Sequence, residues 1–341
     1  MAITVNTNNA ATTAALNLSH ANDALRRSLA RLSSGNRIVD SRDDPGGMSV
    51  AYKLNSRLSR TEAVRHNVQN AISYVQVQDG SLTSAGRIVS RMSELRGMAQ
   101  DVTKNAGDIE NYSKEFIELQ RQLGQIYREK FNGVSLFSVS GSSSAQPPAQ
   151  PPLNKGYTTD ENLQRVTIFS RTLYTHDSGQ FDSGNVSIGV TNFEHTFNLG
   201  SLDSNFVVSF SGTKANLANA NSLNVQNYEA SSSSANSEVF DEEGFLKSIL
   251  FVSMGQFVSI IERIADARAE NGAEQNRLFM VDELLSMNMT NLEAAHGRIV
   301  DADIALESTR FAQQNVKVQA AASMVAQANQ LSNIALTLLG R

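Results

Sequence analysis

Both ends of the chain carry apolar residues at the alternating three- and four-residue spacing of a coiled-coil helix. Near the N-terminus, this spacing is kept by Leu18, Ala21, Leu25, Ser28 and Leu32. Near the C-terminus, it is kept by Val318, Ala321, Val325, Ala328 and Ala335, with Leu331 and Leu338 beside that row. A narrow apolar stripe of this kind is buried only against another helix. We therefore predict that the two ends pair with each other and with other copies of the chain.

The N-terminal helix is predicted over residues 11–32, and its end carries a recognisable signal. Gly35 follows Ser33-Ser34 and suits the left-handed conformation that commonly follows a helix C-terminus. The polar connector 36–47 contains Pro45 followed by two glycines, which argues against a continuous helix through it. We therefore expect the next helix to begin near Met48.

A long helix is predicted from about Met48 to Thr103, because its apolar residues recur seven positions apart. They form three rows: Val68, Val75, Leu82 and Val89; Val64, Ala71, Ala85 and Met92; and Ile88, Leu95 and Val102. Three rows make a face wide enough for a bundle of three or four helices. Another helix is predicted over Ser113 to Tyr127, before the turn signal Phe131-Asn132-Gly133.

The middle of the chain lacks these rows. Prolines cluster at residues 146–152 after a Gly/Ser run, a composition typical of an extended linker. Short alternating or β-branched runs predict strands of a small antiparallel domain at residues 166–169, 186–190, 193–199 and 206–210. We expect residues 141–237 to contribute nothing to the helical rows on either side.

From about residue 245 the heptad pattern returns, with Leu250, Phe257, Ile264, Leu278, Leu285, Leu292 and Ile299 in one register. Asn271-Gly272 interrupts this row, and a polar residue there either fixes the helix register or permits a local break. The same stretch contains Met280, Met287 and Met289. Methionines suit a soft partner-binding surface, but the helical spacing of these three favours filling of the core.

The order of these elements predicts the fold class. It is mainly α, a long-helix coiled-coil bundle formed by the N- and C-terminal segments, with a small β-rich domain inserted in the middle. Because the two halves of the bundle stand at opposite ends of the sequence, the β-rich domain would lie at the far tip.

Composition narrows the class of function. The formal net charge of −5 gives no reason to expect a nucleic acid or an anionic membrane as partner. Cysteine is absent, which excludes disulfides and thiolate metal sites. The first residues lack the basic and apolar regions of a cleaved signal peptide, so export would use another route.

Catalytic and metal-binding patterns are missing from the sequence. There is no phosphate-binding loop, and the five histidines are isolated, with no pair four residues apart. The acidic pairs Asp43-Asp44 and Asp301-Ala302-Asp303 lack the glycine and glutamate of a calcium loop. We therefore predict no enzymatic activity and no cofactor.

Four stretches of the chain together resemble bacterial flagellin, the filament subunit of the flagellum. They are Leu16 to Ile38 with Ser41 to Met48, Phe131-Asn132-Gly133 after Leu119 to Leu123, Gly297 to Asp303, and Met324 to Gln330 through Leu338-Leu339. The family usually has alanine before a single glycine in the first stretch, so Pro45-Gly46 is a departure. Four matches in the right order, at the right distances from both ends, are highly specific.

The resemblance implies five segments. Residues 1–44 and 301–341 would form an inner coiled-coil domain, 45–137 and 245–300 would form the two halves of a helical bundle domain, and 138–244 would be a variable surface-exposed domain. It also implies a function, a structural subunit that self-assembles into the helical flagellar filament for motility. The family is exported unfolded by the flagellar type III apparatus and is extracellular.

The resemblance also implies partners and contact residues. The partners would be other copies of the chain, the flagellar cap, hook-junction proteins and an export chaperone. Subunit assembly would use Leu18, Leu25, Leu32, Val318, Val325, Leu331 and Leu338. A contact with vertebrate Toll-like receptor 5 would use Arg91, Leu95 and Glu118. Here the family usually continues Glu-Leu-Ala, whereas this chain reads Glu94-Leu95-Arg96-Gly97, and Gly97 weakens a helix by ~1 kcal/mol relative to alanine.

Two alternatives stay open beside the filament subunit. A hook–filament junction protein shares terminal helices of this kind and would be a few-copy adaptor. A receptor-binding or adhesive coiled-coil protein belongs to another functional class. The match at residues 324–330 and the terminal Leu338-Leu339-Gly340-Arg341 favour the filament subunit.

Overall fold

The structure, a computed structural model, describes residues 8–138, 154–159, 165–176, 184–199 and 245–339, without the side chains of 154–159, 165–168, 194 and 331–339. Two compact units are present. Unit 1 comprises residues 1–61 and 287–341, and unit 2 comprises residues 62–286. The linker expected at 146–152 and the strand expected at 206–210 lie outside the described residues.

Long helices dominate the described residues, as the heptad rows predicted. The helices are α1 (Asn9–Ser34), α2 (Pro45–Ala99), α3 (Ala106–Tyr127), α4 (Phe193–Thr196), α5 (Met254–Val300) and α6 (Ile304–Leu339). A 3₁₀ turn, Ile249–Phe251, precedes α5. None of the described helices is long and apolar enough to cross a membrane. The mainly α fold class with a small β-rich part is confirmed.

Both ends of α2 differ from the prediction. The helix begins at Pro45, not near Met48, because proline at the first helical position loses no hydrogen bond there. Asp44 caps it, and its Oδ1 accepts a hydrogen bond from the Gly47 N–H at 2.9 Å. The helix ends at Ala99, so Val102 lies beyond it with 98% of its surface exposed, and the third apolar row stops at Leu95.

Two small antiparallel sheets follow α3. The hairpin of β1 (Lys130–Phe131) and β2 (Val134–Ser135) turns at Asn132-Gly133, where φ is 49° and 79°. Positive φ at both positions is what a type I′ turn requires. The second sheet has the order β3 (Asn154–Thr159), β4 (Arg165–Tyr174), β5 (Asn185–Val190). The strands predicted at residues 166–169 and 186–190 are confirmed.

The strand predicted over residues 193–199 is wrong. Residues 193–196 form the short helix α4, because the side chain of Asn192 accepts a hydrogen bond from the His195 N–H at 3.3 Å and caps it. An asparagine N-cap is a local signal strong enough to outweigh the β propensity of the aromatic residues that follow.

In unit 2, α2 and α5 pack antiparallel. Two cross-helix contacts fix their relative level: Arg65 Nε to Asp282 Oδ1 at 3.1 Å, and Arg268 Nε to Asp79 Oδ1 at 3.0 Å. Just before α5, the Val252 carbonyl accepts a hydrogen bond from Arg96 Nε of α2 at 2.6 Å. α5 is continuous through Asn271-Gly272, so the local break considered there is wrong. Asn271 itself is 3% exposed.

The core of unit 2 is deeply buried and draws on α2, α3, α4, α5 and β5. Its largest fully buried side chains are Leu82, Met92, Leu95, Phe116, Leu123, Leu136, Phe193, Phe197, Leu246, Ile249 and Phe257. α3 contributes an edge-to-face contact, since the rings of Phe116 and Phe257 lie 6.4 Å apart at 86°. The apolar rows of α2 and α5 are therefore covered on several sides.

The segment expected to be independent of the helices contributes to this core. Val186 and Ile188 of β5, Phe193 of α4 and Phe197 directly after α4 belong to the same buried cluster as the helices. Sequence patterns missed this, because a segment's own strand period does not reveal which surface its apolar face packs against.

Polar contacts also hold β5 on the helices. The Gly189 N–H donates to Glu274 Oε1 at 2.8 Å, and Gln78 Nε2 donates to Thr191 Oγ1 at 3.1 Å. Burial raises the pKa of the Glu274 carboxyl, the Gly189 hydrogen bond opposes that shift, and the neighbouring Glu270 adds to it. The carboxylate is therefore held at this place despite a cost of desolvation.

We predict that replacing residues 141–237 with a short Gly/Ser linker destabilises unit 2. The replacement removes Phe193 and Phe197 from the core, and the loss of a buried phenylalanine costs roughly 3–5 kcal/mol. Replacing only residues 201–240 is the control, since it removes none of the described core side chains. Urea unfolding of both variants compares them, and equal stabilities would contradict the packing described.

We predict that Glu274→Gln changes the pH dependence of stability. A carboxyl whose pKa is raised in the folded state favours folding most when protonated, so its contribution declines as pH rises from the ordinary glutamate value through the folded value. The glutamine side chain of the variant does not titrate. The wild type should therefore lose stability relative to the variant as pH rises through that window in urea unfolding. Parallel pH profiles would show that the pKa of Glu274 is not perturbed.

Candidate assembly surface

In unit 1, α1 and α6 pack against each other as an antiparallel pair. At one end, Asn8 Nδ2 donates to the Ala328 carbonyl at 2.9 Å. At the other end, the Ala302 N–H donates to the Gly35 carbonyl at 2.9 Å. The N- and C-terminal helices of the chain therefore pair with each other, as their patterns predicted.

One row of residues on each helix lines this contact. On α1 the row is Ala11, Ala14, Leu18, Ala21, Leu25, Ser28 and Leu32, all buried or half-buried. On α6 it is Glu307, Phe311, Gln314, Val318, Ala321, Val325 and Ala328, also buried or half-buried. The predicted residues Leu18, Leu25, Leu32, Val318 and Val325 all stand in these rows. Leu331 and Leu338 lie where the backbone is helical but side chains are not described.

Sequence reasoning missed the first part of the α6 row. Continuing the spacing backwards from Val318 reaches Gln314, Phe311 and Glu307. Glu307 and Gln314 are polar, so a search for apolar residues at this spacing does not find them. Glu307 is 4% exposed, and its Oε2 lies 3.4 Å from Arg310 Nη1. The spacing itself was the available signal, because a coiled-coil row keeps its period through an occasional polar member.

The connector between α1 and α2 hydrogen-bonds to the C-terminal end of α5. Gly35 has φ 72°, and its N–H donates to the Arg31 carbonyl, which ends α1 as predicted. Arg37 then donates three hydrogen bonds to the end of α5: its N–H to the Val300 carbonyl at 2.6 Å, and its Nε and Nη2 to the Ile299 carbonyl at 3.1 Å and 2.7 Å. Carbonyls that the end of α5 leaves unpaired are therefore satisfied by the connector.

Acidic residues of the connector have structural roles. Asp43 pairs with Arg31 at 3.4 Å, and Asp44 caps α2. A Cβ on Gly47 would lie 2.4 Å from Asp44 Oδ2 and 3.0 Å from Ile38 Cδ1, so only glycine fits there. A Cβ on Gly46 would meet Asp44 Oδ1 at an ordinary 3.6 Å.

No group of three His, Cys, Asp or Glu residues in the described part of the chain is arranged to hold a metal ion.

Apolar side chains outside the rows remain uncovered in unit 1. Leu16 and Leu29 of α1 are 59% and 56% exposed, and Val316 and Met324 of α6 are 65% and 63% exposed. Two helices can cover each other on one side only, so the rest of each surface is left to solvent. Exposed apolar surface on a paired helix is typical of a site that contacts another protein.

The three methionines of α5 are not core residues. Met280 is 69% exposed and Met287 is 52% exposed, so the core-filling interpretation is wrong for both, while Met289 is half-buried. The buried positions of the same helix are Phe257, Ile260, Ile264, Asn271, Leu278 and Leu285, and all of them except Ile260 stand at the heptad spacing.

The three positions implied for a receptor contact have different environments. Arg91 and Glu118 are exposed, whereas Leu95 is 1% exposed and lies in the core of unit 2. Arg91 is paired with Glu115 at 2.8 Å and with Glu94 at 3.1 Å, and these two hydrogen-bonded carboxylates raise its pKa. The Leu95 side chain is therefore not available at the surface, which corrects its inclusion among the contact residues.

Family comparisons cover both helical parts of the chain. A model of the bacterial flagellin N-terminal helical region matches residues 5–142, and a model of the bacterial flagellin C-terminal helical region matches residues 256–339. Polar flagellin F of Vibrio parahaemolyticus is 27% identical, with 100% of each chain covered. A flagellin of Bacillus subtilis is 28% identical, over 98% of this chain and 99% of that protein.

Solved structures give weaker likenesses. A putative flagellar hook-associated protein from Vibrio parahaemolyticus matches with TM-score 0.49 and 15% identity, over 76% of this chain and 100% of that one. Bacillus cereus flagellin matches with TM-score 0.35 and 20% identity, over 68% of this chain and 94% of that one. Both scores lie below 0.5, so the sequence families carry the assignment.

We predict opposite effects for alanine at the two neighbouring glycines of α2. Gly46→Ala should stabilise unit 1 by up to about 1 kcal/mol, because alanine favours a helix and meets only an ordinary contact there. Gly47→Ala should destabilise it, because its methyl group overlaps the Asp44 cap. Thermal unfolding compares the two variants, and equal shifts in Tm would contradict this geometry.

Proposed function

This chain belongs to the bacterial flagellin family, and we infer that the paired helices α1 and α6 are the part of it that polymerises. The protein is a structural subunit of the flagellar filament, as its family relatives indicate. The single observation that supports the role of α1 and α6 is their uncovered apolar surface, with Leu16, Leu29, Val316 and Met324 more than half exposed.

Burial of this surface against other copies supplies the driving force for assembly. Fully burying one leucine- or valine-sized side chain contributes roughly 1.5–3 kcal/mol. Each subunit of a helical polymer uses the same surfaces, so the contribution recurs at every addition. The rows that include Leu18, Leu25, Val318 and Val325 would hold the pair together while its outer surface meets neighbouring subunits.

Export and further partners extend the proposal beyond the subunit itself. The chain would pass unfolded through the flagellar type III apparatus with an export chaperone, then add beneath the flagellar cap on filaments joined to hook-junction proteins. The absence of cysteine is compatible with passage between compartments of different redox state. A contact with Toll-like receptor 5 would depend on the exposed Arg91 and Glu118.

A hook–filament junction protein remains the alternative within flagellar proteins. It would assemble into short rings of few copies, whereas a filament subunit grows without a fixed copy number. Electron microscopy of purified protein seeded with filament fragments separates the two. Long helical filaments identify the filament subunit, and rings or monomers contradict it.

We predict that Val316→Lys impairs filament growth in this seeded assay. The change places a charge on a 65% exposed apolar position of α6, and burying an unpaired charge on assembly is strongly unfavourable. The critical concentration, measured by sedimentation, should rise by about tenfold or more, which corresponds to about 1.4 kcal/mol per subunit.

Gln319→Lys is the matched control, since it adds the same charge at an exposed polar position of the same helix. Its critical concentration should change much less than that of Val316→Lys. Circular dichroism of both monomers should match the wild type. Equal critical concentrations for the two variants would show that the apolar character of Val316 does not matter for assembly.

A further inference from the structure

Methionine is the side chain of this protein that oxidants attack most readily, because the chain contains neither cysteine nor tryptophan. The sequence has nine methionines, so its sulfur chemistry depends on them alone. A thioether reacts with a two-electron oxidant such as hydrogen peroxide only where the oxidant can reach the sulfur. The exposure of each methionine therefore decides whether it reacts.

The structure separates exposed methionines from a buried one. Met280 and Met287 of α5 and Met324 of α6 are 69%, 52% and 63% exposed. Met92, in contrast, is fully buried in the core of unit 2. We expect the three exposed methionines to react with an oxidant while Met92 is still reduced.

Met324 differs from the two α5 methionines because it lies on the uncovered surface of α6. Val316, Ala320 and Met324 follow each other at four-residue steps, so they share one face of the helix, and all three are exposed. Val318 and Val325, which are half-buried in the row that packs on α1, lie on the opposite side of the helix. The Met324 sulfur is therefore part of the surface that we assign to assembly.

We propose that Met324 is an oxidation site at which hydrogen peroxide prevents the subunit from adding to a filament, an inference that rests on the assembly role proposed above for α6. The thioether sulfur attacks one peroxide oxygen, an S–O bond forms as the O–O bond breaks, and the other oxygen leaves as water. Sulfur loses two electrons and the peroxide gains them. The product is methionine sulfoxide, a polar and chiral side chain in place of an apolar one.

The sulfoxide opposes burial of the α6 surface against a neighbouring copy. Its oxygen accepts hydrogen bonds from water, and burying it without a donor costs free energy that the thioether does not lose. Burial in a filament would also shield the reduced sulfur, so oxidation acts on subunits before they add. A methionine sulfoxide reductase supplied with a dithiol restores the thioether, while the dithiol becomes a disulfide and water is released.

Seeded filament growth after mild peroxide treatment of the monomer tests the proposal. Peptide mass spectrometry should show sulfoxide at Met324 and little at Met92. The critical concentration of the oxidised protein should rise roughly tenfold, and reductases for both sulfoxide epimers with dithiothreitol should restore it. Because the chain has no cysteine, this recovery cannot come from reduction of a disulfide in the subunit. Normal growth of monomers that carry the sulfoxide at Met324 would overturn the proposal.

Met324→Leu assigns the effect to one sulfur, because leucine keeps an apolar side chain of similar volume that peroxide does not oxidise. This variant should grow like the untreated wild type both before and after peroxide treatment. The matched control is the double variant Met280→Leu with Met287→Leu, which should remain as sensitive to peroxide as the wild type. If treated Met324→Leu is impaired as strongly as the treated wild type, the proposal is wrong.

Peroxide treatment of assembled filaments supplies a second measurement. Met324 should be oxidised on the order of tenfold more slowly there than in the monomer, because the neighbouring copy covers it. Equal rates in the two states would overturn the proposal. Failure of the untreated wild type to grow would contradict the assembly role itself, whereas equal growth of treated and untreated protein would contradict only the role of Met324.

Discussion

A narrow apolar stripe on a long helix must be covered, and the structure depends on how each stripe is covered. In unit 2 the stripes of α2 and α5 face each other and are also covered by α3, α4 and β5, so their members reach full burial. In unit 1 the stripes of α1 and α6 pack against each other, and Leu16, Leu29, Val316 and Met324 outside them stay more than half exposed. This difference separates a deeply buried core from a helix pair that leaves apolar surface uncovered.

Polar groups decide where the helices begin, end and align. Asp44 starts α2, Gly35 ends α1, and Arg37 ties the connector to the end of α5 through backbone carbonyls. These contacts contribute little apolar burial, yet they satisfy backbone groups that a helix end leaves unpaired. They set the geometry in which the terminal helices expose their uncovered apolar residues.

The segment that contains β5 and α4 is coupled to the long helices more closely than its sequence suggests. Phe193 of α4 and Phe197 directly after it enter the helical core, Gly189 donates a hydrogen bond to Glu274 of α5, and Thr191 accepts one from Gln78 of α2. Substitutions at the residues of this segment that contact the helices would therefore disturb the core of unit 2. The exposed methionines Met280 and Met287 lie on α5 outside that contact.

The sequence by itself determined the long helices, the pairing of the two ends and most of the residues that line it, because heptad spacing is a local property that survives folding. Leu18, Leu25, Val318 and Val325 follow from period alone. Only the tertiary structure decided that Leu95 is buried while Met280 is exposed, since both lie at helical spacing and only the neighbouring elements cover one of them. It also decided that Phe193 begins a helix and enters the core. The Asn192 cap and packing against the long helices, which are distant in sequence, outweigh the local β propensity there.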